Sequence, residues 1–133
     1  MAERAFRVTM SKRCFRFKPD GLTNHAPQKP GVYEFVTFDE NRNPRVLYVG
    51  LALDKTVYDC LNAHLTGQSE PTAAQLFGAA QDVYFDYVAD ADIDVLDELK
   101  DIAGFYVNKH KPRFNAGPAP SSGRHAVVTV QEA

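Results

Sequence analysis

Between Gly31 and Gly50 the chain alternates with a period of two. Val32, Glu34 and Val36 fall on one side of an extended run, and Tyr33, Phe35 and Thr37 fall on the other. Asp39-Glu40-Asn41-Arg42-Asn43-Pro44 then makes a polar turn, and Arg45 to Gly50 reads as the returning antiparallel strand. The remaining segments are read around this pair.

Downstream, Val57, Cys60, Leu61, His64 and Leu65 recur at helical spacing, which predicts a helix over 54–65 with Asp54 as its N-cap and this face inward. Thr66 to Pro71 ends it, and 72–80 fits a second short helix. Residues 83–88 have the aromatic and β-branched content of a strand. A longer helix is predicted over 92–110, with Ile93, Leu96, Leu99, Ile102, Ala103, Tyr106 and Val107 in one stripe. Acids crowd its first turns and bases its last, complementing the helix dipole, and Pro112 stops it. Upstream, residues 5–18 suit a strand or a hairpin broken near Ser11-Lys12, and Pro19 to Pro30 is expected as a loop. Residues 116–123 are Pro/Gly-rich and read as a flexible linker, after which His125 to Val130 is expected as an edge strand.

A chain of 133 residues with 44% hydrophobic content supports a single domain. No apolar stretch approaches the roughly 20 residues of a bilayer span, so no membrane partner is expected and a cytoplasmic location is. Cys14 and Cys60 are too few for a disulfide framework and are expected as reduced, buried thiols. The net charge of −2 hides an asymmetry. Residues 1–18 carry six bases (Arg4, Arg7, Lys12, Arg13, Arg16, Lys18) against Glu3, and residues 82–101 carry eight acids against Lys100. Such a chain is expected to present a basic face to a polyanion and an acidic face elsewhere, although a pI near 6.0 weakens the case for strong DNA binding.

The triplets Gly31-Val32-Tyr33 and Tyr48-Val49-Gly50, followed downstream by Lys111-Pro112-Arg113-Phe114-Asn115, resemble the motifs of the GIY-YIG nuclease family. The resemblance covers residues 29–115, roughly two-thirds of the chain, and leaves 1–28 as a basic extension with its loop and 116–133 as linker and terminal strand. It implies an α+β domain: a central three-stranded antiparallel sheet flanked by helices, here with an N-terminal strand or hairpin and a C-terminal edge strand added. It also implies that two tyrosines and a helix arginine surround a scissile phosphate while a glutamate holds a divalent metal, the groups that relieve phosphoryl charge. Tyr33 and Tyr48 match the tyrosines, and His64 matches a position where the family carries tyrosine or histidine. Leu51 stands where a lysine or similar polar residue is expected. Cys60 falls at the arginine and Ala103 at the glutamate, so the permanent cation and the metal-binding carboxylate are both missing. Glu98 and Asp101 lie about 140° and about 200° away around a helix and do not simply stand in.

The reading that follows is a catalytically inactive nuclease fold that retains nucleic-acid binding through Arg4, Arg7, Lys12, Arg13, Arg16, Lys109, Lys111 and Arg113, with no metal and no cofactor. Two alternatives stay open. One is a working Mg²⁺-dependent endonuclease with relocated ligands, Glu98 or Asp101 with His64. The other is a module that binds a protein partner through its acidic face.

Overall fold

The computed structural model describes residues 3–133 and threads the elements in the order β1 (Glu3–Met10), β2 (Phe15–Arg16), α1 (Pro19–His25), β3 (Gly31–Phe38), β4 (Pro44–Ala52), α2 (Val57–Leu65), α3 (Ala73–Ala79), β5 (Tyr84–Ala91), α4 (Leu99–His110) and β6 (Val127–Glu132). The expected hairpin forms, with Tyr33 directly opposite Gly50 and a register shift between Phe35 and Val36. β5 pairs antiparallel with the other edge of β3, so β4, β3 and β5 make the expected three-stranded centre.

β1 and β2 both lie along the far edge of β5. β1 pairs with its later residues, Val88 to Ala91, and β2 pairs with Tyr84 and Phe85. The N-terminal segment is therefore one interrupted strand, not a hairpin: the chain leaves the ladder after Met10 and rejoins it at Phe15. β6 is the terminal edge strand, parallel to β1 from Glu3–Val127 to Val8–Glu132.

Alternation puts Tyr33 and Phe35 on one face of the sheet and Val32 and Glu34 on the other. The first face packs on Leu22 of α1, Val57 and Leu61 of α2, and Leu76 of α3. The second, with Val32, Val49 and Val88, packs on Leu99, Ile102, Ala103 and Tyr106 of α4. Helices thus cover both faces, as an α+β domain requires when both carry apolar residues.

Three expected boundaries move. Residues 19–25 form a helix where a loop is expected; Pro19 opens it because a proline lacks only an N–H that the first turn leaves unbonded anyway. Asp54 does not cap α2. Thr56 does, its hydroxyl accepting from Asp59 N at 3.0 Å while the Asp59 carboxylate accepts from Thr56 N at 3.3 Å. The helix expected from 92 begins with a 3-10 turn at Leu96–Glu98, because Asp92, just past β5, is tied to β1. Its carboxylate accepts from Arg7 N at 2.8 Å, and its own N–H donates to Arg7 O at 3.1 Å.

The segment expected as a flexible linker lies against α4. A Cβ at Gly104 would stand 2.1 Å from Pro120 O, so only glycine admits this approach. The Asp101 carboxylate accepts from Ser122 N at 2.9 Å and from Ser122 Oγ at 2.6 Å.

Asn115 gives the motif tail a structural purpose. Its Oδ1 accepts from Val49 N at 2.8 Å and its Nδ2 donates to Val49 O at 3.0 Å, while Phe114 N donates to Leu47 O at 3.0 Å. The side-chain amide pairs with β4 as a neighbouring backbone would. Asn115→Ala removes both bonds and is expected to lower unfolding stability by about 1–3 kcal/mol, read as a fall in the urea midpoint; an unchanged midpoint would show that solvent replaces the pairing without loss.

Candidate functional site

The two motif tyrosines and His64 come together on the face covered by α2. The Tyr33 ring lies across Gly50, and a Cβ at position 50 would fall 2.1 Å from Tyr33 Cζ, so the glycine of the second triplet makes room for the tyrosine of the first. The Tyr33 hydroxyl is 2.8 Å from His64 Nε2, and His64 Nδ1 is 3.0 Å from Pro71 O. A carbonyl can only accept, so Nδ1 carries the proton, and Nε2 accepts from the tyrosine. Phe35 and Tyr48 close around the imidazole, with centroids 5.1 Å and 5.4 Å away.

Tyr33 is 3% exposed and His64 is 2% exposed. Burial holds the His64 pKa below its ordinary value, so the ring is neutral, and burial pushes the Tyr33 phenol well above the usual range. Tyr48 is half-buried at the rim. The Cys60 thiol stands beside the Tyr33 hydroxyl, and its burial raises it, so a neutral thiol occupies the place where the resemblance asks for a cation. The arrangement works as a closed hydrogen-bond chain that joins β3, α2 and the approach to α3. The proton and the lone pair that a phosphate would engage are already used.

Ala103 is 1% exposed and belongs to the other layer, with Val32 and Val49. Leu51 packs against that layer too. Glu98 and Asp101 are also remote from His64. Glu98 Oε1 accepts from Asp94 N and Val95 N at 2.8 and 3.2 Å, and Glu98 Oε2 is 2.7 Å from His125 Nε2. With Asp101, these residues place three ligand atoms within 4.8 Å of one another. The residue types suit a divalent cation, yet Ser122, His125 and backbone amides already occupy their oxygens. His125 is a member that the sequence did not single out; its partners lie 27 residues or so upstream, beyond any local pattern.

The basic residues divide. Arg4 is taken up by the acidic segment: its guanidinium donates to Asp92 O, lies 3.8 Å from Asp92, 4.0 Å from Asp94 and 3.9 Å from Glu98, and sits over the Phe6 ring. Arg16 pairs with Asp82 at 3.9 Å. The expected separation of a basic from an acidic face therefore fails at these residues, because β1 and β2 lie along β5. Arg7 is exposed on β1, and Lys12 and Arg13 are exposed in the excursion between β1 and β2. Lys109, Lys111 and Arg113, at the end of α4, converge with His110 and Arg45 of β4 around a hollow of about 440 Å³. Arg45 was read only as a strand residue; pairing with Thr37 at the open end of the hairpin is what brings it here.

A buried acid pair lies beneath α4. Glu34 faces Asp86 across the sheet and is 5% exposed, and neither Glu34 Oε2 nor Asp86 Oδ1 has a hydrogen-bond partner among the described residues. Burial, then the facing Asp86, raise the Glu34 carboxyl far above its ordinary value, so the pair holds a proton at neutral pH. His110 Nε2 stands 3.5 Å from Glu34, while Glu132 and Lys109 face the same spot. Burial and Asp86 push the nearby Cys14 thiol up to about 12, which makes it inert.

Comparison of the chain with protein-family models, with curated proteins and with solved structures finds no significant match. No helix among the described residues is long and apolar enough to cross a membrane.

Tyr33→Phe leaves His64 Nε2 buried without a donor and is expected to cost about 1–3 kcal/mol of stability, measured by urea unfolding. Stability also responds to pH in two directions. The native state refuses the proton that an unfolded histidine takes up, so His64 lowers stability as pH falls below its ordinary value of 6.5. The native state keeps a proton that an unfolded glutamate releases, so Glu34 lowers stability as pH rises above its ordinary value of 4.5. Glu34→Gln is expected to flatten the decline of Tm on the alkaline side and leave the acid side unchanged; an identical alkaline slope in the variant would refute the protonated pair.

Proposed function

We propose that the chain is a nucleic-acid-binding domain on a GIY-YIG-type nuclease scaffold, without cleavage activity. The observation that carries the reading is the cationic rim where α4 meets β4. Arg45, Lys109, Lys111 and Arg113 surround one hollow, and among the described residues none has a carboxylate within 4.0 Å. Four cations around one hollow, none of them in an ion pair among the described residues, repel one another, and a phosphate backbone relieves that repulsion while releasing its own counterions.

The loss of cleavage rests on chemistry at the motif positions. Cys60 cannot replace a guanidinium, Ala103 cannot bind Mg²⁺, and the sealed Tyr33–His64 pair offers no group to a scissile phosphate. Relocated ligands are disfavoured as well, since Asp101 lies on α4 and Glu98 just before it, on one side of the sheet, while His64 of α2 sits among the aromatics of the opposite face. An acidic docking face is weakened by Arg4, which neutralises part of the acidic segment from within the chain.

Binding measured by fluorescence anisotropy at low salt is expected to weaken as salt rises, and the paired change Lys109→Ala and Arg113→Ala is expected to reduce the salt slope by about 2. No cutting of duplex, branched or single-stranded DNA is expected with Mg²⁺ or Mn²⁺. Cleavage abolished by Tyr33→Phe would overturn the inactive reading, and absence of binding to every nucleic acid tested would overturn the reading as a whole.

A further inference from the structure

The interruption between β1 and β2 builds a second cationic place, and its chemistry differs from that of the α4 rim. Ser11 ties the excursion to β5: its N–H donates to Tyr87 O at 2.7 Å, its hydroxyl accepts from Tyr87 N at 3.2 Å, and that hydroxyl also donates to Arg13 O at 3.0 Å. Lys12 and Arg13 are thereby held beside the half-buried Tyr87 ring and exposed to solvent. The chain then turns back at Phe15, whose ring is nearly parallel to two others. His25, at the end of α1, stacks on it at 4.0 Å between centroids and 13° between planes, and Tyr87 lies 6.3 Å away at 17°.

These five residues, Lys12, Arg13, Phe15, His25 and Tyr87, line one hollow of about 570 Å³ whose wall is mostly apolar. The Phe15–His25 stack separates it from a neighbouring hollow of about 380 Å³, where Arg13, Arg16 and Lys18 stand with one acid, Asp20. Arg13 borders both. Among the described residues, Lys12, Arg13 and Lys18 have no carboxylate within 4.0 Å.

A ridge of parallel rings flanked by unpaired cations suits a ligand that alternates flat π-faces with negative charge. Unpaired nucleotides have that pattern, and a duplex does not present it, because its bases are already stacked on one another. We propose that this notch receives an unpaired base of a single-stranded nucleic acid against the Phe15, His25 and Tyr87 rings, with the flanking phosphates on Lys12 and Arg13. The proposal rests on the nucleic-acid reading given above and adds to it a second site and the strandedness of the ligand. The aromatic members were not legible as a group, since Phe15, His25 and Tyr87 come from three separate elements that only the ladder of β2 with β5 brings together.

The test compares four labelled 12-nucleotide probes by fluorescence anisotropy: (dT)12, (rU)12, an abasic deoxyribose-phosphate strand, and a duplex. Wild-type protein is expected to bind (dT)12 or (rU)12 about 10-fold more tightly than the abasic strand and more tightly than the duplex. His25→Ala, which trims an exposed ring and leaves the core intact, is expected to remove most of the preference for bases without changing affinity for the abasic strand. Arg13→Ala is expected to weaken all probes. Circular dichroism and Tm confirm that both variants fold. Equal affinity for the abasic strand, duplex binding at least as tight, or a base preference untouched by His25→Ala would each overturn the notch. Retained binding that depends only on Lys109 and Arg113 would overturn the notch and leave the nucleic-acid reading standing, whereas failure to bind any of the four probes would overturn both.

Discussion

The core is organised around one side chain laid across one glycine. Tyr33 crosses the β3–β4 ladder over Gly50, and its hydroxyl reaches past the sheet to His64, which passes the connection to Pro71. Two hydrogen bonds thereby fix how far α2 stands from the sheet and where the chain enters α3. The strength of such a relay comes from its setting: with both groups nearly sealed from water, neither can exchange its partner for solvent. The tyrosine faces an imidazole, so the two triplets meet as a packing device.

The backbone was more legible than the site. The alternation from Val32 to Thr37 and the polar turn after it sufficed for the hairpin, and the tail ending in Asn115 was recognisable as a unit. Local spacing did not reach the ends of elements. A proline at the first turn of α1 looks like a breaker in sequence, and Asp92 carries a helix-start residue type while its bonds belong to Arg7, far away along the chain. The site divides along the same line. Tyr33, Tyr48 and His64 were findable because they follow motif and helix spacing, whereas Arg45, His125 and the Glu34–Asp86 pair depend on strand register and on the return of β6.

Charge shows why segment composition is a poor guide to surface potential. The basic N-terminal segment and the acidic 82–101 segment look like two opposed faces when written as a line. Antiparallel pairing of β1 and β2 with β5 folds one onto the other, and Arg4 and Arg16 are consumed there. Among the cations left over are those in the interruption of the strand and those gathered around the end of α4.

The Asn115 amide has one more effect. β4 is an outer strand of the sheet, and an outer strand with free N–H and C=O groups is a template on which another chain can add. By occupying Val49 and, through Phe114, Leu47, the tail removes the middle of that template from the surface. The other border is guarded differently, by β6, whose exposed Gln131 and Glu132 make a poor seam for a neighbour. A domain whose charges are partly cancelled, with net charge −2, has little electrostatic repulsion to oppose pairing at such an edge, so an amide standing in for a strand does by hydrogen bonding what charge does not.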